Sequence, residues 1–215
     1  MAMGNGNKQD DNVVYFLSER SGKKFDSPHF VVKTKDDTGA IVESTTVKEY
    51  SGNLLSVKFG KKYNEKTPKG LELANQYGNR DVVRVTLKDE ELKEVYSCEF
   101  GFSMMTRSFF NSLLNLNTFN NLKVGIYRDK NGYDKLSLRQ DDEMVKWKFQ
   151  MTEIPEIETM LFKGKELKDY DKVDTFFLSK LQEKFGQTIT ENNVKNENQK
   201  KHIENTIEEN EEVPF

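Results

Sequence analysis

The sequence predicts a mainly β domain with one helix inserted among its strands, and three patterns predict it. Apolar and polar residues alternate in Asp81–Lys88 and again in Leu92–Phe102, which is the period of half-buried strands. An apolar stripe with helical spacing follows Ser103. Asn131-Gly132 then separates two more alternating segments, as in a β-hairpin. With a strand at residues 54–59, the expected order is three strands, a helix and two strands.

The remaining strands are predicted from shorter patterns. Val13–Leu17 suits a strand, and two brief β-branched runs at residues 30–32 and 41–42 flank a turn signal, which predicts a hairpin. Leu55, Val57 and Phe59 are expected to share one face. Residues 60–70 are interpreted as a basic loop, and Met144–Phe149 as one more strand.

Two helices are predicted from apolar stripes. Ser103 can cap the first through its hydroxyl, and its stripe consists of Met105, Phe109, Leu113 and Leu116. In the second, Val173, Phe177, Leu181 and Phe185 recur every four residues before Gly186. This helix is expected to pack either on the β domain or against a second copy of the chain.

Length and charge suggest one domain with appendages. The chain has 215 residues and a net charge of −3. Residues 186–215 hold seven Glu and three Lys, so residues 1–185 keep 30 of the 33 cations and 29 of the 36 acidic residues. The expected units are a disordered start at 1–12, the β domain at 13–162, a linker and helix at 163–186, and a disordered acidic tail at 187–215.

Composition argues against several classes of protein. Cys98 is the single cysteine, which excludes an intramolecular disulfide and suits a reducing compartment. No apolar run is long enough for a membrane span or a signal peptide, so a cytosolic protein is expected. With two histidines, no phosphate-binding glycine loop and no zinc-type cluster, the chain is expected to be no enzyme and to need no cofactor or metal. Asp141–Glu143 is interpreted as a polar turn.

Strand parity predicts a surface that mixes cations and aromatic rings. If Val83 and Val85 point inward, the alternate side chains point outward. Such a surface can bind a nucleic-acid strand without reading its sequence, although each lysine alone also fits an ordinary solvated face. Trp147 shares parity with Val145 and Phe149, so it is either a core residue or a stacking residue. The candidate nucleic-acid-binding residues are Lys58, Lys61, Lys62, Tyr63, Arg84, Lys88, Lys123, Tyr127, Tyr133, Lys135, Arg139 and Trp147.

The chain ends on four carboxylates followed by an apolar tripeptide. A partner could hold such an end in a small apolar pocket ringed by Lys and Arg. An acidic, disordered terminus without a partner is the alternative interpretation. The predicted partner-binding tip consists of Glu208, Glu209, Glu211, Glu212, Val213, Pro214 and Phe215.

Two of these features resemble known proteins. The strand order with a helix between strands 3 and 4 resembles the OB-fold, a five-stranded, partly open barrel that commonly binds single-stranded nucleic acids. The acidic Pro-Phe ending is similar to that of bacterial single-stranded-DNA-binding proteins, and Gly52–Gln140 resembles the small replication-type binding proteins of tailed bacteriophages. On this resemblance the chain carries extra N-terminal strands, a C-terminal helix and a disordered acidic tail around the barrel.

The resemblance implies a function as well as a fold. The protein would coat single-stranded DNA during replication, recombination or repair, in the host cytoplasm if it is phage-encoded. Its tip would recruit a polymerase, helicase, primase or nuclease, and it could form a homo-oligomer. The alternative is a β-barrel scaffolding or protein-interaction module with no role in nucleic-acid binding.

Overall fold

Eleven strands and three helices make up the part of the chain that the computed structural model describes, residues 11–17, 28–35 and 41–186. The helices are α1 (Pro68–Tyr77), α2 (Met104–Leu114) and α3 (171–186), and a short 3-10 turn spans Met151–Glu153. The strands are β1 (Asp11–Leu17), β2 (His29–Lys35), β3 (Ile41–Val47), β4 (Glu49–Lys61), β5 (Asp81–Asp89), β6 (Glu94–Gly101), β7 (Leu122–Arg128), β8 (Asp134–Gln140), β9 (Glu143–Met144), β10 (Glu158–Phe162) and β11 (Lys165–Asp169).

Nine of the strands form one mixed sheet in the order β3-β2-β1-β6-β5-β4-β7-β8-β9, and β10 pairs with β11 alone. Only β1 and β6 run parallel; the other described neighbours are antiparallel. The end strands β3 and β9 do not pair with each other within the described chain, so the sheet is not a closed barrel. The predicted mainly β fold is confirmed.

Strand β4 connects two parts of the sheet, which we call its wings: β5 and β6 with the N-terminal strands lie on one side of it, and β7, β8 and β9 lie on the other. Its first four residues pair with β7 and the rest pair with β5. Gly52 stands at the changeover with φ 154°, and a Cβ there would lie 2.5 Å from the carbonyl oxygen of Lys88, so only glycine fits. A β-bulge between Leu54 and Ser56 then shifts the register. Leu55 is therefore 55% exposed while Val57 is buried, and the prediction that they share a face is wrong.

Both predicted helices are present, and both contribute to one core. The Ser103 hydroxyl accepts a hydrogen bond from the Thr106 amide, and the Thr106 hydroxyl accepts one from the Ser103 amide, which closes a capping box at the start of α2. The predicted inward residues Val83 and Leu87 on β5 are buried. The same core contains the four stripe residues of α3, Val173, Phe177, Leu181 and Phe185. Helix α3 therefore packs on its own chain.

One helix and one hairpin were not specified by the sequence. Helix α1 begins inside the predicted basic loop; Thr67 caps it by accepting from the Gly70 amide at 3.1 Å, and Pro68 occupies its first turn, a position that suits proline. The β10–β11 hairpin spans the end of the predicted β domain and the start of the segment predicted as a linker or short appended element. Its register pairs Met160 with Leu167.

The predicted strand Met144–Phe149 ends at Met144. Beyond it the chain is held by the side chain of Asn111 on α2, which accepts from the Phe149 amide at 2.8 Å and donates to the Phe149 carbonyl at 2.9 Å. These bonds satisfy the backbone groups of Phe149 without a neighbouring strand. Trp147 lies in this stretch with 46% of its surface exposed, so the interpretation of Trp147 as a core residue is wrong.

Some predictions fall on residues outside the described ranges. They are the disordered start at 1–12, apart from Asp11 and Asn12 in β1, and the whole tail and tip at 187–215. Within the described residues, none of the helices has both the length and the apolar character needed to cross a membrane.

Candidate nucleic-acid interface

The outer face of β7 and β8 brings four predicted residues together. The pairing places Tyr127 opposite Lys135 and Lys123 opposite Arg139. These two cross-strand pairs are four residues apart along each strand, a distance of about 14 Å at the rise of a strand. Gly125 lies between them, and a Cβ there would meet the Ser137 hydroxyl oxygen at 2.7 Å. Gly125 and Ser137 thus leave little side-chain bulk on β7 and β8 between the two pairs, and Glu49 on β4 lies opposite Gly125.

The two aromatic rings at one end of this face are held by a tight turn. The Asp129 carboxylate accepts from the amides of Asn131 and Tyr133, both at 2.9 Å, and the Asp129 amide donates to the Tyr133 carbonyl at 2.8 Å. Gly132 adopts φ 81° in this turn, a conformation that favours glycine. The rings themselves stay in solvent, with Tyr127 46% and Tyr133 62% exposed.

At the other end, Lys123 is neutralised by carboxylates. Its ammonium group lies 2.8 Å from Asp142 and 3.7 Å from Glu49. The hydrogen bond with Asp142 raises the pKa of Lys123 and lowers the pKa of Asp142. Arg139 and Lys135 make no salt bridge with any carboxylate of the described chain. Their charges are therefore available to an anionic ligand.

The predicted polar turn explains how Asp142 reaches Lys123. Asp141 and Asp142 both have positive φ, 50° and 65°, between β8 and β9. The Asp141 carboxylate accepts from the Asn121 side chain at 2.9 Å. The two carboxylates thus bind different partners on the neighbouring chain segment.

The other predicted cations lie on the wing formed by β4, β5 and β6, and most are paired. Arg84 contacts Glu99 at 2.9 Å, Lys88 contacts Glu90 at 3.0 Å and Lys61 contacts Asp81 at 2.9 Å. Lys58 lies opposite Arg84 on β4. Within the described residues, Lys58 and Lys62 have no carboxylate partner.

The aromatic residue of this wing follows β4. The Lys62 ammonium lies 5.4 Å from the centre of the Tyr63 ring, within the range of a cation–π contact. The Asn79 side chain holds the Tyr63 backbone through two hydrogen bonds, at 2.9 and 3.0 Å. The ring is therefore carried on an anchored loop.

Trp147 lines a cleft that the sequence did not predict. The cleft has a volume of about 680 Å³ and lies between α2, residues 147–157, β11 and α3. We call it the Trp147 cleft. Lys135 also lines it, so the cleft adjoins the outer face of β7 and β8. Its other lining residues include Met104, Arg107, Met151, Ile157, Lys168 and Tyr170.

Arg107 is a firmly anchored charged residue of the cleft. Its guanidinium donates to both carboxylate oxygens of Asp174, at 2.5 and 2.9 Å, and lies 4.1 Å from the centre of the Tyr170 ring. The arginine on α2 and the aspartate on α3 are 67 positions apart in the sequence. No local pattern of residues could therefore have indicated this pair.

The structure thus divides the predicted set between two wings of the sheet. One wing carries two exposed aromatic rings and two cations without a carboxylate partner in the described chain, namely Tyr127, Tyr133, Lys135 and Arg139. Trp147 lies near this group, since it lines the same cleft as Lys135. The β4–β6 wing carries mostly paired cations. The predicted tip lies outside the described residues.

The chain was compared with protein-family models, with curated proteins and with solved structures, and none of them matches it.

Proposed function

We propose that this protein binds single-stranded DNA without sequence specificity and coats transient single strands during replication, recombination or repair. The observation that carries the proposal is the pairing of the exposed Tyr127 ring with Lys135, next to Tyr133 and in line with Arg139. Bases of any identity stack on aromatic rings, while cations bind the phosphates between them. A surface with both groups suits a single strand, because its bases are free to stack while those of a duplex are already stacked and paired.

A finer description of the fold belongs to the same proposal. Residues 49–140 follow the strand order of an OB-fold, with the bent strand β4 paired to both β5 and β7 and with α2 between β6 and β7. OB-folds bind oligonucleotides with their second and third strands and with the loops after the first and fourth strands. In this chain those loops carry Tyr63 and Tyr133. Tyr133 is therefore favoured both by the resemblance and by its exposure, which is 62%.

The tip extends the proposal to partners. Its carboxylates and its Val-Pro-Phe end resemble the tips of bacterial single-stranded-DNA-binding proteins. We infer that it recruits a polymerase, helicase, primase or nuclease to the coated strand. The resemblance to bacteriophage proteins favours a phage protein that acts in the host cytoplasm.

The function is tested by titrating the protein against labelled oligo(dT) and against a duplex of equal length, each at two salt concentrations. We expect oligo(dT) to bind more tightly than the duplex, and both affinities to fall as salt rises because bound cations release counterions. Equal affinity for the duplex, or binding that salt leaves unchanged, would contradict the proposal.

The unpaired cations set the size of the salt effect. Lys58, Lys62, Lys135 and Arg139 are the four predicted cations without a carboxylate partner in the described chain. At about −0.7 per phosphate contact on a single strand, they predict a log-log slope of about −3.

Arg139→Gln should reduce that slope to about −2, since one contact is lost. Lys88→Gln is the matched control because Glu90 already pairs with Lys88; its slope should stay near the parent value. Both are measured by oligo(dT) titration over a series of salt concentrations. Equal slopes for the two variants would show that ion pairing does not select the cations that bind.

A second candidate function is supported by one observation. Met160, Leu161 and Leu167 on the β10–β11 hairpin are exposed apolar residues, and large apolar surfaces of this kind often contact other proteins. A protein-interaction module would bind neither oligo(dT) nor duplex, so the same titrations separate the two candidates.

A further inference from the structure

We propose that the Trp147 cleft holds the end nucleotide of a single strand that carries a terminal phosphate. The base would lie against Trp147, and the phosphate would bind Arg107 and Lys168. This inference rests on the proposed function and deepens it: the outer face of β7 and β8 binds the interior of a strand, whereas the cleft selects its end. A protein molecule would then be placed at a phosphorylated terminus, from which coating proceeds.

The cleft continues the outer face of β7 and β8 at the free edge of β8. Strand β8 pairs with β9 through only two residues, Arg139 and Gln140. The part of β8 around Lys135 has no strand on that side within the described chain. Lys135 lies opposite Tyr127 and also lines the cleft. A strand that binds over Tyr127 therefore reaches the cleft by passing Lys135.

Trp147 offers a surface on which a base can stack. Its side chain is 46% exposed, and it lines the cleft between two exposed lysines, Lys146 and Lys148. Neither lysine has a salt bridge within the described chain. Aromatic rings stack on bases of any identity, and nearby cations bind the backbone. The volume of about 680 Å³ lies within the range of small-molecule pockets, so the cleft has room for one nucleotide.

Arg107 has donors left for a phosphate. A guanidinium has five N–H donors, and the hydrogen bonds to Asp174 use the Nε and Nη2 groups. The remaining donors make no hydrogen bond with the described chain. Asp174 and the Tyr170 ring fix the guanidinium plane. A fixed planar guanidinium suits a phosphate, whose oxygens can accept two hydrogen bonds from it at once.

The depth of Arg107 favours a terminal phosphate over an internal one. Its side chain is only 13% exposed, so a phosphate must project into the cleft to reach it. An internal phosphate is flanked by two sugars and carries one negative charge. A terminal phosphate is attached to one sugar and carries a charge of about −1.5 to −2 at neutral pH. The terminal group therefore enters more easily and gains more from the cation.

The charges around the cleft favour the same ligand. Lys135 and Lys168 line it, and neither has a salt bridge within the described chain. Glu156 is the one carboxylate among the lining residues of the described chain, and Asp174 compensates Arg107. These three cations and two carboxylates leave an excess of one positive charge. The cleft therefore attracts an anionic group.

The test compares single strands with equal numbers of phosphates, an octathymidylate phosphorylated at its 5′ end and an unphosphorylated nonathymidylate. Both lengths lie within the site size of about 4–16 nucleotides for one OB-fold. With a fluorophore at the other end, anisotropy should show at least about tenfold tighter binding of the phosphorylated strand, because its phosphate gains charge-assisted hydrogen bonds. An octathymidylate phosphorylated at its 3′ end shows which terminus enters, and a preference at either end supports the inference. Equal affinity for all three strands overturns it and leaves the proposed function intact.

Two lysine variants on β11 test the location. Lys168→Gln should reduce the ratio of the two affinities at least about threefold, because the phosphate loses one of its cations. Lys165→Gln makes the same change on the same strand, outside the Trp147 cleft, and should leave the ratio unchanged. Arg107→Lys keeps a positive charge beside Asp174 but loses the planar donors, so it should remove most of the preference. Equal ratios for Lys168→Gln and Lys165→Gln would contradict the inference even if Arg107→Lys failed to fold.

Trp147 is the only tryptophan of the chain, so its fluorescence reports a base in the cleft. Thymidine monophosphate should quench this emission saturably, and thymidine should bind at least about tenfold more weakly because it lacks the phosphate. If the phosphorylated octathymidylate binds more tightly but leaves Trp147 emission unchanged, its phosphate binds elsewhere and the inference is wrong. Quenching by thymidine monophosphate without binding of any oligonucleotide would refute the proposed function while leaving a nucleotide site in the cleft.

Discussion

Replacing Tyr127 and Tyr133 with alanine is expected to weaken oligo(dT) binding more than any other change on the surface. Each base that stacks on an aromatic ring contributes about 1 to 3 kcal/mol, so the double variant should lose about 2 to 6 kcal/mol. That corresponds to a decrease in affinity of at least about thirtyfold. The salt slope should stay near that of the parent because neither residue carries a charge. Fluorescence titration at several salt concentrations measures both quantities.

Conservative variants separate stacking from folding. Tyr127→Phe with Tyr133→Phe keeps both rings and should bind like the parent, because stacking needs the ring and not the hydroxyl. Leu161→Ala removes an exposed apolar side chain on β10, outside the predicted set, and should have little effect. The Asp129 turn is held by backbone amides, so the alanine variants should fold. If they fold and still bind like the parent, the strand binds elsewhere.

The sequence predicted those parts of the fold that a regular period defines. Val83 and Leu87 are buried because the two-residue period of a strand separates the faces of β5. The four-residue spacing of Val173, Phe177 and Leu181 likewise identified the buried face of α3. In each case, the regular geometry of one element and the presence of one core surface determine which side chains are buried. No knowledge of the neighbouring elements is needed.

Local irregularities were beyond the reach of the same patterns. Leu55 points outward because a bulge adds one residue to β4, and a bulge leaves the alternation of residue types unchanged. The sequence of residues 145–149 suits a strand, but in the structure Asn111 on α2 holds this segment by its Phe149 backbone. Only the position of α2 decides between these two outcomes. The start of α1 did have a signal, Thr67 followed by Pro68. The surrounding run of lysines favoured a loop instead.

The candidate site was predicted in part for a similar reason. Parity places Tyr127 with Lys135 and Lys123 with Arg139 on one face, as the register of β7 and β8 bears out. Parity cannot show that Asp142 pairs with Lys123, because that pair depends on the turn between β8 and β9. The Trp147 cleft was also missed, since it is built from α2, residues 147–157 and α3. Those segments are distant in the sequence and meet only in the fold.

The second large effect concerns the stability of the whole domain. Leu181 on α3 is completely buried in the core shared with the sheet and α2. Leu181→Ala should therefore lower the free energy of unfolding by about 2 to 5 kcal/mol, because it removes buried methyl groups and leaves a cavity. That is a large part of the stability of an ordinary domain. Chemical denaturation followed by circular dichroism measures the change.

Leu161→Ala is the matched control for Leu181→Ala. Leu161 lies on β10 and is 77% exposed, so the same substitution there should change the free energy of unfolding by no more than about 0.5 kcal/mol. A large loss confined to Leu181→Ala, seen as one cooperative transition, would mean that α3 unfolds together with the sheet. If Leu181→Ala costs as little as Leu161→Ala, α3 is an appended helix, and the cleft that it helps to form would not be a fixed binding site.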